Sequence, residues 1–218
     1  MGFSCTHCGR CCSDTIIQIN LTLGDIVRLG AYLGKPYKWF FDQGILGLKP
    51  FFNPDTLKYD IELGLSKPCK FHQHGRCSVY PARPLNCRLF PEWVLASNDS
   101  QIIGKFKQDG FECFVELNKS ELQATRVYVK AVGEILLRES RITDKLVQTL
   151  KDSSGLPEGL VLGVPKIQFN LERERVALAQ AIINKMDTKK LKAGLLSYLK
   201  QNKQKWATIE ELNKLDRG

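Results

Sequence analysis

Four cysteines within the first twelve residues constrain this chain more than any other feature of its sequence. The chain begins Met-Gly-Phe-Ser-Cys-Thr-His-Cys-Gly-Arg-Cys-Cys, a CxxCxxCC array formed by Cys5, Cys8, Cys11 and Cys12. Four thiols inside eight residues are too many and too close for ordinary packing. Thiolates bind zinc, copper(I) and the iron of iron–sulfur clusters. We therefore expect this array to hold a metal or an iron–sulfur cluster.

A second block of cysteines follows, and its members are Cys69, Cys77, Cys87 and Cys113. Pro81, Pro84 and Pro91 exclude a long helix in this block, which predicts a turn-rich loop of the kind that presents thiols to a metal. A small hairpin is expected at the His74-Gly75 turn. Because no secretory signal is recognisable and the spacing is metal-like, the cysteines are predicted to be ligands rather than disulfides.

The array leaves the number of metal positions open. Cys5, Cys8 and Cys11 have the spacing with which bacterial ferredoxins hold a cubane cluster, and the fourth ligand would then come from the second block. Adjacent side chains diverge, so Cys11 and Cys12 serve two metal positions more easily than one. The eight thiols can build two four-thiolate sites, or one site with spare thiols. We prefer a [4Fe–4S] cluster over zinc as the occupant and keep zinc as the alternative.

The two blocks together resemble the YkgJ-type CxxCxxCC cysteine-cluster family, whose domains are described as zinc- or iron-chelating. The resemblance is carried by the following residues: Cys5, Cys8, Cys11, Cys12, Cys69, Cys77, Tyr80, Arg83, Pro84, Cys87, Arg88, Phe90 and Pro91. It implies metal chelation by roughly residues 1–115, with all eight cysteines as ligands. Cys113 fits least well, because Phe114 and Val115 follow it where family members often have Pro-Gly.

Flagellin lysine methylases share this cysteine pattern at a distance. They imply one enzymatic alternative, methyl transfer to protein lysines with S-adenosylmethionine as cofactor. No Gly-rich loop after a strand is present to cradle a nucleotide cofactor, which weakens that alternative. The other two alternatives are a non-catalytic metal or cluster carrier and a structural zinc module that recruits a protein partner.

Three further side chains of the second block are assigned to cofactor binding. Arg83 and Arg88 can neutralise a thiolate-rich centre or grip a carboxylate or phosphate, or they can hold the loop by hydrogen bonds to carbonyl groups. Tyr80 can donate to a cluster sulfur, although packing is the favoured role.

The three histidines of the chain lie near the cysteines. His72 and His74 are interpreted as turn residues at the surface. His7 is at most a residue that supports a metal ligand.

The hydrophobic pattern predicts an α+β fold, with a cysteine-cluster domain over 1–115 and a helical region over 116–218 that packs on it. In the first domain we expect strands at 14–20 and 57–63, a helix at 22–34 capped by Thr22, a short helix or aromatic wedge at 37–42 and a loop at 43–56. In the helical region we expect a helix at 120–150 with a capping box from Ser120 to Gln123. Coil or an edge strand is expected at 160–169, followed by helices at 171–186, 188–204 and 207–215.

Charge and hydropathy limit the partners. The net charge is +9, and seven lysines against the single acid Asp187 lie between Lys185 and Lys205. This basic stripe is expected to be a solvated helix face, with an acidic surface as the alternative partner and no nucleic acid. No run of 18 apolar residues occurs, so no membrane span and a cytoplasmic location are predicted.

Overall fold

The structure is a computed structural model that describes residues 5, 8–13, 19–53, 58–153, 177, 180–181, 184 and 188–216. Within them, helices predominate and two antiparallel sheets have two strands each, which confirms the predicted α+β class. Most of the predicted strand at 14–20, the whole segment 160–169 and most of the predicted helix at 171–186 lie outside the described residues.

In chain order the described helices are α1 Arg10–Ser13, α2 Leu23–Leu33, α3 Tyr37–Asp42, α4 Leu85–Leu89, α5 Glu92–Ser97, α6 Ser100–Gln108, α7 Lys119–Ser153, α8 Thr188–Gln201 and α9 Ile209–Leu215. The strands are β1 Leu46–Asn53, β2 Lys58–Leu65, β3 His72–Gln73 and β4 Arg76–Cys77. None of these helices is long and apolar enough to cross a bilayer.

Helix α2 begins and ends at the residues that the sequence predicts. The Thr22 hydroxyl accepts a hydrogen bond from the Asp25 amide at 3.1 Å, and the Asp25 carboxylate accepts one from the Thr22 amide at 2.9 Å. This reciprocal pair satisfies two donors at the start of the helix. Gly34 ends the helix in the left-handed conformation at φ 61°, where a side chain would add strain.

The predicted loop at 43–56 is wrong, because β1 occupies most of it. Leu46 and Leu48 are buried and lie opposite Leu65 and Leu63 of β2, so alternate side chains of both strands face the core. The Gly and Pro residues of this segment, Pro50 among them, favour a loop on sequence alone. A two-stranded sheet has open edges, however, where a proline can lack its N–H without loss of a ladder hydrogen bond.

The C-terminal helices α7, α8 and α9 confirm the helices predicted at 120–150, 188–204 and 207–215. The predicted capping box at Ser120 is wrong. Asn118 caps α7 instead: its side-chain oxygen accepts from the Glu121 amide at 3.0 Å, and the Glu121 carboxylate accepts from the Asn118 amide at 2.9 Å. Asparagine is as good an N-cap as serine, and only the backbone conformation distinguishes two such neighbouring candidates.

Three hydrophobic clusters pack these elements together. The largest joins α2, the β1–β2 hairpin and the inner face of α8, and Cys69, Cys77 and Cys87 pack against its edge. The second lies between α4, α7 and α9. The third contains Cys113 and four phenylalanine rings, with Cys11 packed against it. Thiols of both cysteine blocks therefore lie beside packed apolar groups.

A buried charge cluster connects these layers, and it consists of Asp25, Arg28 and Glu139. Arg28 donates to both oxygens of Glu139 at 2.8 and 2.9 Å and to Asp25 at 2.6 Å. All three side chains are 2% exposed or less. Gly24 makes room for the contact, because a Cβ atom there would lie 2.1 Å from a Glu139 oxygen.

This Arg28 cluster also fixes backbone from other parts of the chain. Asp25 accepts from the Leu85 amide at 3.0 Å, two residues before Cys87. The Ala207 carbonyl accepts from Arg28 at 2.9 Å, and the Ala207 amide donates to Glu139 at 3.1 Å. The cluster therefore holds α2, α7, the start of α4 and the segment before α9 in one arrangement.

Removing one charge of the Arg28 cluster should destabilise the protein strongly. Glu139→Gln leaves a buried guanidinium underpaired, so we expect a loss of about 3–5 kcal/mol in the free energy of unfolding. Asp42→Asn, which breaks the exposed Lys38–Asp42 pair, should cost less than about 1 kcal/mol. Urea denaturation of both variants checks this expectation, and equal losses would contradict it.

Candidate metal centre

The N-terminal array turns sharply at Gly9. Gly9 has φ 75°, and its carbonyl accepts from the Cys12 and Ser13 amides at 3.0 and 2.9 Å, which starts the single turn of α1. A Cβ atom at Gly9 would also lie 2.5 Å from the His72 ring. Glycine is required here both for the backbone conformation and for the close approach.

Cys12 joins the array to the second block. The Cys69 amide donates to the Cys12 carbonyl at 2.8 Å, so the two segments run side by side. The sulfur atoms of Cys11 and Cys12 are 4.0 Å apart, and the Cys12 thiol is also hydrogen-bonded to Cys69. No disulfide joins any of the eight cysteines, all of which are described.

These three sulfurs share protons unequally. The hydrogen bond to Cys11 and, to a smaller extent, the one to Cys69 raise the pKa of the Cys12 thiol. The hydrogen bond from Cys12, against the opposing effect of burial, lowers the pKa of Cys11 to about 7 and that of Cys69 to about 6. Near neutral pH the arrangement favours thiolates at Cys11 and Cys69 around a protonated Cys12. Thiolate is the form that binds metal.

The remaining cysteines lie within electrostatic reach of this trio. Burial, followed by the charges of Cys11 and Cys69, raises the pKa of Cys87. Burial also raises the pKa of Cys77, to which Cys69 and Cys5 contribute. For Cys113, burial and then the charges of Cys8, Cys11 and Cys5 raise the pKa to about 12. The structure therefore brings both predicted blocks together, including Cys113, while their roles as ligands stay a prediction.

Lys67, which the sequence did not single out, lies beside both cysteine blocks. Its ammonium group donates to the Cys11 carbonyl and its charge lowers the pKa values of Cys11, Cys69 and Cys87. A cation beside thiolates offsets their mutual repulsion. The proximity of Lys67 to Cys69 in the sequence was a signal for this role, but lysine is too common at the surface for that signal to be specific.

Arg83 and Arg88, assigned to cofactor binding, lie on either side of Cys87 and contact the C-terminal segment. Arg88 is fully buried and donates to Asp216 at 2.5 Å, and Arg83 donates to the same carboxylate oxygen at 3.1 Å. Arg88 also donates to the Pro81 carbonyl at 2.5 Å. The structure therefore agrees with both interpretations of these arginines, because they bind a carboxylate and also support the loop. Their contact with a cofactor stays a prediction.

Tyr80 and the histidines complete the surroundings. The Tyr80 phenol is hydrogen-bonded to the backbone of Cys5, and the Arg83 guanidinium lies 4.0 Å from the Tyr80 ring centroid. The prediction of a surface turn residue is confirmed for His74, which is exposed at φ 50°, and wrong for His72, which is half-buried against Gly9. His7 lies outside the described residues.

The chemistry of this donor set fits a zinc or iron centre. Cys11, Cys12 and Cys69 bring thiols of both blocks together, and Lys67 supplies compensating positive charge. Across the described part of the chain, no three His, Cys, Asp or Glu side chains are placed to hold a metal ion as they stand. Metal binding displaces thiol protons, so the hydrogen-bonded arrangement of Cys11, Cys12 and Cys69 has to open when metal enters.

A model of a known protein family matches the N-terminal half of the chain. The family model CxxCxxCC, described as "Putative zinc- or iron-chelating domain", matches residues 4–114. No curated protein and no solved structure matches the chain significantly. The match begins just before Cys5 and ends one residue after Cys113, so it spans both cysteine blocks.

Glu92, the first residue of α5, should make stability depend on pH. Burial raises its pKa from 4.5 to about 7, and one of its oxygens has no hydrogen-bond partner among the described residues. Because the folded state favours the protonated form, this contribution is complete below pH 4.5 and is lost as the pH rises through about 7. The neutral variant Glu92→Gln should therefore gain stability relative to wild type as the pH increases, by on the order of 1.4 kcal/mol per unit of pKa shift.

Urea unfolding of reduced, metal-free protein at several pH values measures this difference. Subtracting the two curves removes the contributions of the thiols, which both proteins share. A difference that stays constant from about pH 5 to about pH 8 would contradict the assignment of Glu92 as a buried, protonated carboxyl.

Proposed function

Since this chain belongs to the CxxCxxCC family of zinc- or iron-chelating domains, we propose that thiolates from both of its cysteine blocks hold a metal centre. The proposed ligands are drawn from Cys5, Cys8, Cys11, Cys12, Cys69, Cys77, Cys87 and Cys113. The metal would cross-link loops that have little regular structure of their own, so its binding energy would also be folding energy.

The contact between Cys12 and Cys69 carries this proposal. It brings residues 57 positions apart in the sequence into hydrogen-bonding contact through both their backbones and their thiols. Apolar packing alone does not explain why polarisable, titratable groups should converge from two loops beside the partly buried side chain of Lys67. A metal that replaces the shared thiol protons does explain it.

We prefer a [4Fe–4S] cluster as the occupant, with zinc as the alternative. The spacing of Cys5, Cys8 and Cys11 supports a cluster, because it supplies three thiolates from one short loop. The contact of Cys11, Cys12 and Cys69 supports a second metal position close to the first. Zinc requires four ligands around one ion, which eight thiols can also provide.

The enzymatic form of this proposal is methyl transfer to protein lysines with S-adenosylmethionine. It rests on the resemblance to flagellin lysine methylases. Tyr80, Arg83 and Arg88 would be the cofactor-binding residues, and the pairing of both arginines with the Asp216 carboxylate supports a role toward anionic groups. Calorimetric titration of metal-loaded protein with S-adenosylmethionine tests it, and the absence of binding removes methyl transfer.

A non-catalytic form is a metal module that recruits a protein through α8. Leu191, Leu195 and Leu199 face the core, so the lysines of α8 and of the turn after it lie on the outer side. Lys190, Lys200 and the other lysines from 189 to 205 have no acidic residue among them in the sequence. An acidic protein surface is the partner that this face would accept.

Loss of one thiol from either block should lower metal content and stability together. We expect Cys8→Ser and Cys87→Ser to lose bound metal and to melt at lower temperature, since metal binding here contributes folding energy. Ser78→Ala, next to Cys77 in the second block, is the matched control and should retain metal. Elemental analysis and thermal melting provide the readouts. Unchanged metal content and melting in both cysteine variants would refute their assignment as ligands.

A further inference from the structure

His72 lies against the backbone of the N-terminal array. A Cβ atom on Gly9 would be 2.5 Å from Cε1 and 2.8 Å from Nε2 of the His72 ring. The ring therefore contacts the short loop between Cys8 and Cys11. No other histidine among the described residues approaches the array in this way, since His74 is exposed at the tip of the β3–β4 hairpin.

The Nε2 atom of His72 is buried and has no hydrogen-bond partner among the described residues. A buried polar atom without a partner costs free energy, and such atoms need an explanation such as a bound ion or water. An imidazole that served only as a spacer over Gly9 could be replaced by an apolar ring without that cost. The buried position of Nε2 therefore indicates that this atom gains its partner when metal binds.

Cys69 and His72 stand at the two ends of one turn. The His72 amide donates to the Cys69 carbonyl at 3.0 Å, and the amides of Phe71 and His72 also hydrogen-bond to the Cys69 sulfur. This Cys-x-x-His turn resembles the two-residue separation of ligand pairs in zinc sites. Cys69 already contacts Cys12, so both ends of the turn face the array.

A neutral imidazole also suits the charge of this centre. Four thiolates around a divalent ion leave a net charge of about −2, whereas three thiolates and one imidazole leave about −1. The charge of Lys67 reaches Cys11, Cys69 and Cys87 together. One ammonium group balances the smaller of these two charges.

We propose that Nε2 of His72 is a metal ligand, which binds together with Cys69 and thiolates of the N-terminal array. This inference rests on the proposed function, because it requires that the cysteine blocks bind metal. It adds a nitrogen ligand to a set that is otherwise composed of sulfur. Mixed sulfur and nitrogen sites bind zinc or ferrous iron, and imidazole also ligates iron in some clusters.

The test is long-range ¹H–¹⁵N NMR of the full-length chain, first metal-free and then loaded with Zn²⁺ under anaerobic conditions. Coordination through Nε2 should move that resonance of His72 to the value of a metal-bound nitrogen and fix the ring as the Nδ1–H tautomer. The resonances of His74 should not move. A His72 Nε2 that keeps the shift of an uncoordinated nitrogen in zinc-loaded protein would overturn the proposal.

Variants give a second measurement that does not depend on this spectrum. Competition with a chromogenic chelator should show that His72→Ala binds Zn²⁺ at least about tenfold more weakly than wild type, as for loss of a ligand or its support. His74→Ala should equal wild type. Replacing Zn²⁺ by Co²⁺ should give ligand-field bands that differ between His72→Ala and wild type. Equal bands would mean that His72 only positions the array and would overturn its role as a ligand.

Metal uptake by the wild-type chain tests the proposed function before the variants are compared. A wild-type chain that takes up neither zinc nor iron contradicts metal binding by the cysteine blocks as a whole. A wild-type chain that takes up zinc while His72 stays uncoordinated contradicts only the present inference.

Discussion

The position of the second cysteine block depends on one buried guanidinium. Arg28 is shared between Asp25 and Glu139, and Asp25 also holds the backbone at Leu85, two residues before Cys87. Two carboxylates without this cation could not remain charged in the core, since burial disfavours an unpaired charge. Desolvation also penalises the buried cation, but the two carboxylates offset this cost and keep the pKa of Arg28 above its usual value. Loops that carry thiols are thus attached to a rigid frame.

The proposed metal centre consists of loops whose position is set by this frame. The frame does not by itself order these loops. Cys11 and Cys12 lie on a single helical turn, while Cys69 precedes and Cys77 ends a hairpin with two residues per strand. Such short elements are marginal on their own. The side chain of Asn86 adds a link, because it donates to the Asn20 carbonyl at 2.7 Å and so ties the segment before α2 to α4. Metal binding would supply the remaining order.

Local patterns predicted more of this protein than long-range contacts did. The array, the caps of α2 and the helices α7 to α9 follow from residue spacing within a few turns. The Arg28–Glu139 pair could not be predicted, because 111 positions separate its residues and neither has an unusual neighbour in the sequence. The same holds for Arg88 and Asp216. Strand β1 could not be predicted for a different reason: its glycine and proline weaken the local signal, and pairing with β2 overrides it. The proposed division at residue 115 stays a prediction, although α7 contributes Glu139 to the buried cluster.

The family match to a zinc- or iron-chelating domain covers residues 4–114, and the preference for iron rests on the spacing of Cys5, Cys8 and Cys11. One measurement tests the central claim directly: iron, zinc and acid-labile sulfide are quantified per chain in wild-type protein purified without oxygen. The account predicts bound iron with an equivalent amount of sulfide, together with absorption near ~400 nm from thiolate-to-iron charge transfer. Stoichiometric zinc without sulfide would replace the cluster by zinc within the same centre. A chain that retains neither metal, with its eight thiols reduced, would contradict the account.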